Sequence, residues 1–132
     1  MLYGRTHYEE GKKDWIGKGE DNIDTMPHHK MANSQATFLR RTTHLSYLYD
    51  QNYSICADYD VVLKMYLDGR IFKKVPVIIN NYGTNGVSSL HPIKAYWQNM
   101  QIRFDLGVQK KYDVIVWLKF VRFILISFVS KE

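Results

Sequence analysis

The chain reads ADYDVVLKMYL at residues 57–67. Its apolar residues recur at the i, i+3, i+4 spacing of one helical face, and Gly69 follows, a residue type that often ends helices. The pattern predicts a helix over Tyr59–Leu67 with Asp58 at its amino end. There the helix dipole and unpaired N–H groups favour a carboxylate anion. Asp58 is therefore either an ordinary N-cap or an acid kept ionised for chemistry.

Strands and helices are predicted on both sides of this helix. Pro92 suits a first helical position and Gly107 a helix end, and one apolar face runs between them. The predicted elements are strands over residues 35–41 and 75–82, a hairpin tip over residues 9–14, and helices over residues 42–49, 92–106 and 114–129.

Composition limits the class of protein. At 132 residues and 45% hydrophobic, the chain suffices for one modest domain with its own core. Cys56 is the single cysteine, which excludes an internal disulfide and suits a reducing compartment. No apolar run follows a basic start, so no signal peptide is expected. The net charge of +5 favours anionic partners. The basic residues are scattered and form no nucleic-acid motif, so we predict no nucleic-acid partner.

A carboxylate placed like that of Asp58 can act as a general base, and sugar transfer is one reaction that needs such a base. Transfer of a sugar from a nucleotide diphosphate needs a base that takes the proton of the attacking hydroxyl, on the face opposite the departing diphosphate. Asp60 lies two residues further along, and i, i+2 positions of a helix do not share a face. The two acids therefore should not share a proton, and Asp60 is either a capping residue or a group that orients the acceptor.

Four motifs occur in a fixed order around this acid: SQATFLRR at residues 34–41, ADYD at 57–60, FKKVP at 72–76 and YGTNGVSS at 82–89. Together they resemble the second half of bacterial family-2 glycosyltransferases, inverting enzymes of GT-A fold that assemble surface polysaccharides. The ADYD motif is similar to the corresponding motif in the capsule and colanic-acid branch of this family. The resemblance covers Leu2–Ser89. It implies an α/β fold in which residues 1–90 form the acceptor-side half of a GT-A domain, and residues 91–132 follow as a C-terminal helical region.

The resemblance also assigns site residues. Asp58 takes the position of the general base, although many relatives have Glu where this chain has Ala57. Relatives also often have His where this chain has Ser34. His91 follows the glycine-rich loop and is either a late metal ligand or an exposed residue before a helix. Arg40 either holds a carboxylate or phosphate group or is a solvated surface residue. The glycine-rich loop is either part of the site or an ordinary turn. The residues expected to bind acceptor or donor are Ser34, Gln35, Arg40, Asp60, Gly86 and Ser88.

In this family a nucleotide-binding half with an Asp-x-Asp metal motif comes first, and Leu2–Tyr8 resembles the strand that follows that motif. The resemblance therefore implies that this half is absent and that the chain alone transfers no sugar. A divalent Mg²⁺ or Mn²⁺ ion, a nucleotide-sugar donor and a glycan or lipid-linked acceptor are expected only in the intact enzyme. An unpaired sheet edge would then promote self-association. The alternative is an inactive truncated remnant or a small membrane-associated interaction protein.

The segment Val114–Val129 is predicted to lie on an anionic membrane surface at the cytoplasmic face. Its sixteen residues fall short of the ~20 that span a bilayer. Twelve are Leu, Ile, Val or Phe, contributing about −4 to −7 kcal/mol on the insertion scale, while Lys119 and Arg122 cost about +5 to +7 kcal/mol. On a helical wheel these two residues cluster with Lys111 and Ser130. The alternative is a helix buried against the missing half.

Overall fold

A computed structural model describes residues 1–10, 13–17, 23–28, 33–83 and 86–129. This part of the chain is mixed α/β, with one four-stranded sheet and five α-helices. The strands are β1 (Leu2–Glu10), β2 (Lys13–Gly17), β3 (Thr37–Phe38) and β4 (Lys73–Gly83), and the helices are α1 (Arg41–His44), α2 (Ala57–Leu67), α3 (Val87–Leu90), α4 (Pro92–Asp105) and α5 (Val114–Val129).

The sheet is built around β1. Its antiparallel partners β2 and β3 share one edge, because β2 pairs with residues 6–10 and β3 with residues 2–3. Strand β4 pairs in parallel along residues 2–9, and this pairing takes the other edge. A hairpin is present where its tip is predicted over residues 9–14, but Glu9 pairs with Asp14 and Glu10 with Lys13, so the strands extend further than predicted. Residues 11 and 12 lie outside the described ranges.

The strand predicted over residues 35–41 is wrong in extent. The Asn33 side chain accepts a hydrogen bond from the Gln35 backbone N–H, at 3.0 Å, and so caps a 3-10 turn at Ser34–Ala36. Only β3 follows in extended pairing, and the chain turns into α1 at Arg41. Arg40 and Arg41 therefore do not alternate across a strand. The helix predicted over residues 42–49 is likewise only the single turn of α1.

Helix α2 occupies the middle of the core. Leu63 and Met65 are fully buried, and Val61 and Val62 are buried beside them, whereas Leu67 is about half exposed. Burial thus covers more of the helix than the single apolar face that the sequence predicts. The main buried cluster consists of Tyr3, Met26, Cys56, Tyr59, Val62, Leu63 and Ile102. Because Ile102 belongs to α4, the C-terminal helical region shares a core with residues 1–90.

The two long C-terminal helices match their predictions closely. Helix α4 starts with Pro92 and is followed by Gly107, whose φ of 70° is the left-handed conformation that glycine adopts readily. Helix α5 has the predicted bounds. Among the described helices, none is long and apolar enough to cross a membrane.

Strand β4 forms one edge of the sheet in the described part of the chain. Val77 and Ile78 are about half exposed there, whereas Pro76 removes a backbone donor and Lys73 adds charge. Prolines and lysines are devices that oppose edge-to-edge pairing. Self-association through this edge stays a prediction.

Candidate functional site

An open cleft of about 810 Å³ lies between the sheet and the amino end of α2. One side of it is the sheet surface, formed by alternate residues of β1, which point to the same face. The other sides are the segment before α2, the 3-10 turn, α3 and one face of α4. The lining includes Gly4, Thr6, Tyr8, Ser54, Tyr82 and Asn99.

The structure brings together five of the residues that the sequence singles out. Those in the cleft lining are Ser34, Gln35, Asp58, Gly86 and Ser88. Three others, Arg40, Asp60 and His91, are not part of that lining. The five belong to three segments separated by more than twenty residues each, so their convergence is a property of the fold and not of local sequence.

Asp58 is the second residue of α2, not its N-cap. The N-cap is Cys56, which makes no side-chain capping bond, so the interpretation of Asp58 as an ordinary N-cap is wrong. Its Oδ1 accepts a hydrogen bond of 2.8 Å from the Tyr59 backbone N–H. The side chain is half-buried in the cleft wall. One oxygen of the Asp58 carboxylate is therefore hydrogen-bonded at the start of the helix, and the carboxylate lies beside the cleft.

A buried glutamine fixes where α2 begins. The Gln98 Oε1 accepts hydrogen bonds from the backbone N–H groups of Ile55, at 2.9 Å, and Cys56, at 3.1 Å. Its Nε2 donates to the Ser54 hydroxyl at 3.2 Å. Gln98 is 5% exposed, and removing its amide would leave buried donors unpaired at about 1–3 kcal/mol. This side chain on α4 therefore positions Asp58 from across the core.

Asp60 has a structural role instead of a place at the cleft. Its side chain is 2% exposed, and its Oδ2 lies 2.6 Å from the Lys64 Nζ, one helical turn further along. Asp60 does not line the cleft, and the expectation that it orients the acceptor or caps the helix stays a prediction. The pairing at i, i+4 turns the carboxylate towards Lys64.

A chain of polar side chains links the sheet to the 3-10 turn. The Thr6 hydroxyl donates to Asn80 Oδ1 at 2.9 Å, and the Asn80 amide donates to Gln35 Oε1 at 3.1 Å. Thr6 is buried and Gln35 exposed. The exposed amide of Gln35 is thereby held at the cleft by partners on two strands.

Gly86 lies close to the side chain of Tyr82. A Cβ at this position would lie 2.5 Å from the Tyr82 hydroxyl, and the φ of Gly86 is −73°. Gly86 therefore does not adopt the positive φ that a glycine permits. Thr84 and Asn85 of the same loop lie outside the described ranges.

Three aromatic rings form a row across the sheet beside the cleft. Tyr8 of β1 is opposite Trp15 on one neighbouring strand and Tyr82 on the other. The Tyr8 and Trp15 rings are stacked at 5.2 Å, and Tyr82 meets Tyr8 edge-on at 5.6 Å. Tyr8 and Tyr82 line the cleft, and Trp15 is 42% exposed. No local sequence pattern marks this row, because it depends on the register of β1 with β2 and β4.

The two remaining predicted residues lie elsewhere. Arg40 is an exposed residue at the start of α1. Burial and, to a smaller extent, the charge of Arg40 lower the pKa of the Met1 ammonium. His91 is exposed at the junction of α3 and α4. Within the described ranges, no three His, Cys, Asp or Glu side chains converge in a way that could hold a metal ion.

Tyr59 makes the cleft wall sensitive to alkali. Burial raises the pKa of its hydroxyl to about 12, and the hydroxyl donates to the Met26 carbonyl at 3.2 Å. The pKa of the Tyr59 hydroxyl is higher in the folded protein than in the unfolded chain. The stability that the protonated hydroxyl contributes to the fold is therefore complete below pH 10 and is lost as the pH rises towards 12. We expect unfolding free energy to fall over that window, and Tyr59→Phe to make the fall shallower in urea titrations at each pH. An identical slope in the variant would contradict this assignment.

Comparison with protein families, with curated proteins and with solved structures found no match to this chain.

Proposed function

We propose that this chain supplies the acceptor side of an inverting glycosyltransferase of family 2, with Asp58 as the general base. The observation that carries the proposal is the convergence of Asp58, Ser34, Gln35, Gly86 and Ser88 on one cleft. In this proposal the donor is a nucleotide-diphosphate sugar and the acceptor a glycan or lipid-linked glycan of a surface polysaccharide. The reaction would take place at the cytoplasmic face of the membrane.

The proposed step is a single displacement. The acceptor hydroxyl oxygen attacks the anomeric carbon, the bond from that carbon to the diphosphate oxygen breaks, and the diphosphate leaves with the electron pair. Asp58 takes the hydroxyl proton as the new bond forms, a contribution of roughly 10²–10⁴-fold to the rate. A divalent ion, which in such enzymes offsets charge on the leaving diphosphate, has no set of ligands among the described residues.

The remaining lining suits a saccharide on chemical grounds. Hydroxyls and amides such as those of Ser54, Gln35 and Asn99 match the donors and acceptors of sugar hydroxyls. The faces of aromatic rings carry negative charge density, which attracts the weakly positive C–H groups of a pyranose. A pyranose ring next to Tyr8 and Tyr82 would therefore make both apolar contacts and directional hydrogen bonds. Small-molecule sites usually combine these two kinds of contact.

The second candidate function is a small membrane-associated interaction protein. The exposed apolar surface of α5 favours it, and it needs no ligand in the cleft. Binding of sugars or nucleotide sugars to the cleft separates the two candidates.

Gln35→Ala is expected to weaken saccharide binding by about 3–10-fold, the value of one hydrogen bond of about 0.5–1.5 kcal/mol. The measurement is an NMR titration of the isotope-labelled full chain with hexoses, oligosaccharides and nucleotide hexoses. The amides of Gln35, Asp58 and Ser88 should shift. Gln51→Ala is the matched control, since Gln51 is exposed in a turn and does not line the cleft. Absence of shifts with every sugar, or equal weakening by both variants, would contradict the proposal.

A further inference from the structure

Helix α5 has one face that is already packed. Tyr96 of α4 stacks on Phe123 and Phe120, at 4.7 and 5.5 Å between ring centroids, and Trp97 contacts Trp117 and Phe120. Val116, on the same side, is buried. These contacts attach α5 firmly to α4 and fix which of its residues point outward.

The opposite face of α5 is apolar and exposed. Leu118 is 63% exposed and Phe128 67% exposed. Five residues at alternating spacings of four and three form one strip along the helix, and two isoleucines widen it. The exposed apolar residues of this face are Val114, Leu118, Val121, Leu125 and Phe128 in the strip, with Ile115 and Ile126 beside it. Contiguous apolar surface of this kind marks an interaction site.

The charges on this face have one sign. Lys119 and Arg122 are both exposed and lie on the isoleucine side of the strip. Residues 114–129 contain no acidic residue. Lys110 and Lys111 are exposed in the turn before the helix, with Tyr112 beside them at 94% exposure. Lys111 lies before the start of the helix, with its Nζ 3.8 Å from the Asp105 carboxylate, so it adds no charge to the exposed face of α5. Ser130 lies outside the described ranges.

The charge and the length of α5 indicate which kind of partner can bind its exposed face. A second copy of the helix would bring Arg122 and Lys119 against an equally basic face, with no carboxylate to pair them. A helix of sixteen residues is about 24 Å long, too short to span a bilayer but well suited to lie in its interface.

We propose that the exposed face of α5 docks onto the surface of an anionic lipid bilayer. The apolar strip enters the boundary between headgroups and acyl chains, and Lys119 and Arg122 reach the anionic headgroups. Helix α4 borders the cleft through Ala95 and Asn99 and carries α5 on its other side. Packed helices are about 8–10 Å apart. The two helix layers α4 and α5 therefore separate the cleft from the lipid surface.

Vesicle flotation of the full chain tests this inference. We expect the protein to float with vesicles of mixed phosphatidylglycerol and phosphatidylcholine, and less as salt rises. Since each basic residue at such a surface is worth about fivefold in binding, Lys119→Glu with Arg122→Glu should reduce binding at least tenfold. Lys73→Glu with Lys94→Glu is the matched control: both side chains are exposed, the net charge changes equally, and binding should change much less.

Two further variants test whether the apolar strip contributes to vesicle binding and whether the cleft takes part in it. Leu118→Ser with Leu125→Ser changes only exposed side chains, so it should preserve the fold and still reduce flotation. Asp58→Asn should float like the unaltered chain, because docking does not use the cleft. Salt-insensitive flotation with neutral vesicles would overturn the inference. So would the absence of flotation combined with concentration-dependent dimerisation in sedimentation, which would assign the strip to a second copy.

Discussion

Asp58→Asn is expected to reduce sugar transfer by roughly 10²–10⁴-fold, the contribution of a positioned general base. The amide has the shape of the carboxylate, and its oxygen can still accept the hydrogen bond from the Tyr59 N–H. The fold should therefore be retained while the proton acceptor is lost. The measurement is single-turnover transfer by the full chain joined to the nucleotide-binding half of a family-2 enzyme, with circular dichroism as a check on folding.

Asp60→Asn is the matched comparison for this experiment. It makes the same chemical change two residues away, but on a side chain that is buried against Lys64 and does not line the cleft. It should lower stability and leave the transfer rate per folded molecule unchanged. If Asp58→Asn kept a near-normal rate in an active fusion, the assignment of the base would be wrong.

The second large effect concerns the ion pair inside α2. Lys64→Met leaves the Asp60 carboxylate, 2% exposed, without its cation. An uncompensated buried charge costs about 3–5 kcal/mol. The Lys64 side chain is itself 36% exposed, so water can still reach part of the site and we expect the lower end of that range. Against a total stability of about 5–15 kcal/mol, the loss should move the urea midpoint markedly.

A double variant distinguishes lost pairing from lost packing. Asp60→Leu combined with Lys64→Met removes both charges and should recover most of the stability that Lys64→Met loses, because apolar replacements of whole buried pairs are often neutral or stabilising. A double-mutant cycle measures the coupling between the two sites. A value near zero, or a single variant within 1 kcal/mol of the unaltered chain, would show that the pair does not hold α2 as described.

Local sequence signals predicted the regular elements well. The bounds of α5 followed from a mostly apolar segment that Lys119 and Arg122 interrupt, those of α4 from Pro92 and Gly107, and the hairpin from the polar residues around the turn between β1 and β2. Each of these signals lies within a few residues of the structure that it specifies. Where a local polar contact overrides propensity, as when Asn33 caps the turn before β3, the strand prediction failed.

The cleft could be predicted only in part. The motif order identified Asp58 and Gln35, but Gln98 contacts backbone groups more than forty residues earlier, and no pattern within α4 marks it. Asp60 shows the converse. Its i, i+4 partner is visible in the sequence, whereas its burial depends on packing of distant elements around α2. Side chains whose partners are remote in sequence are thus the part of the site that pattern analysis cannot supply.

The placement of β1 has a consequence for biosynthesis. This strand is made before its partners: Leu2 pairs with Phe38 on one edge and with Lys73 on the other. At about 5–20 residues per second, the ribosome needs roughly 4–14 s between the synthesis of β1 and that of β4. The β1–β2 hairpin can form within microseconds of its emergence, whereas the parallel pairing must wait. During this interval the nascent chain presents an open strand edge, so a holding chaperone at the ribosome should raise the yield of folded protein.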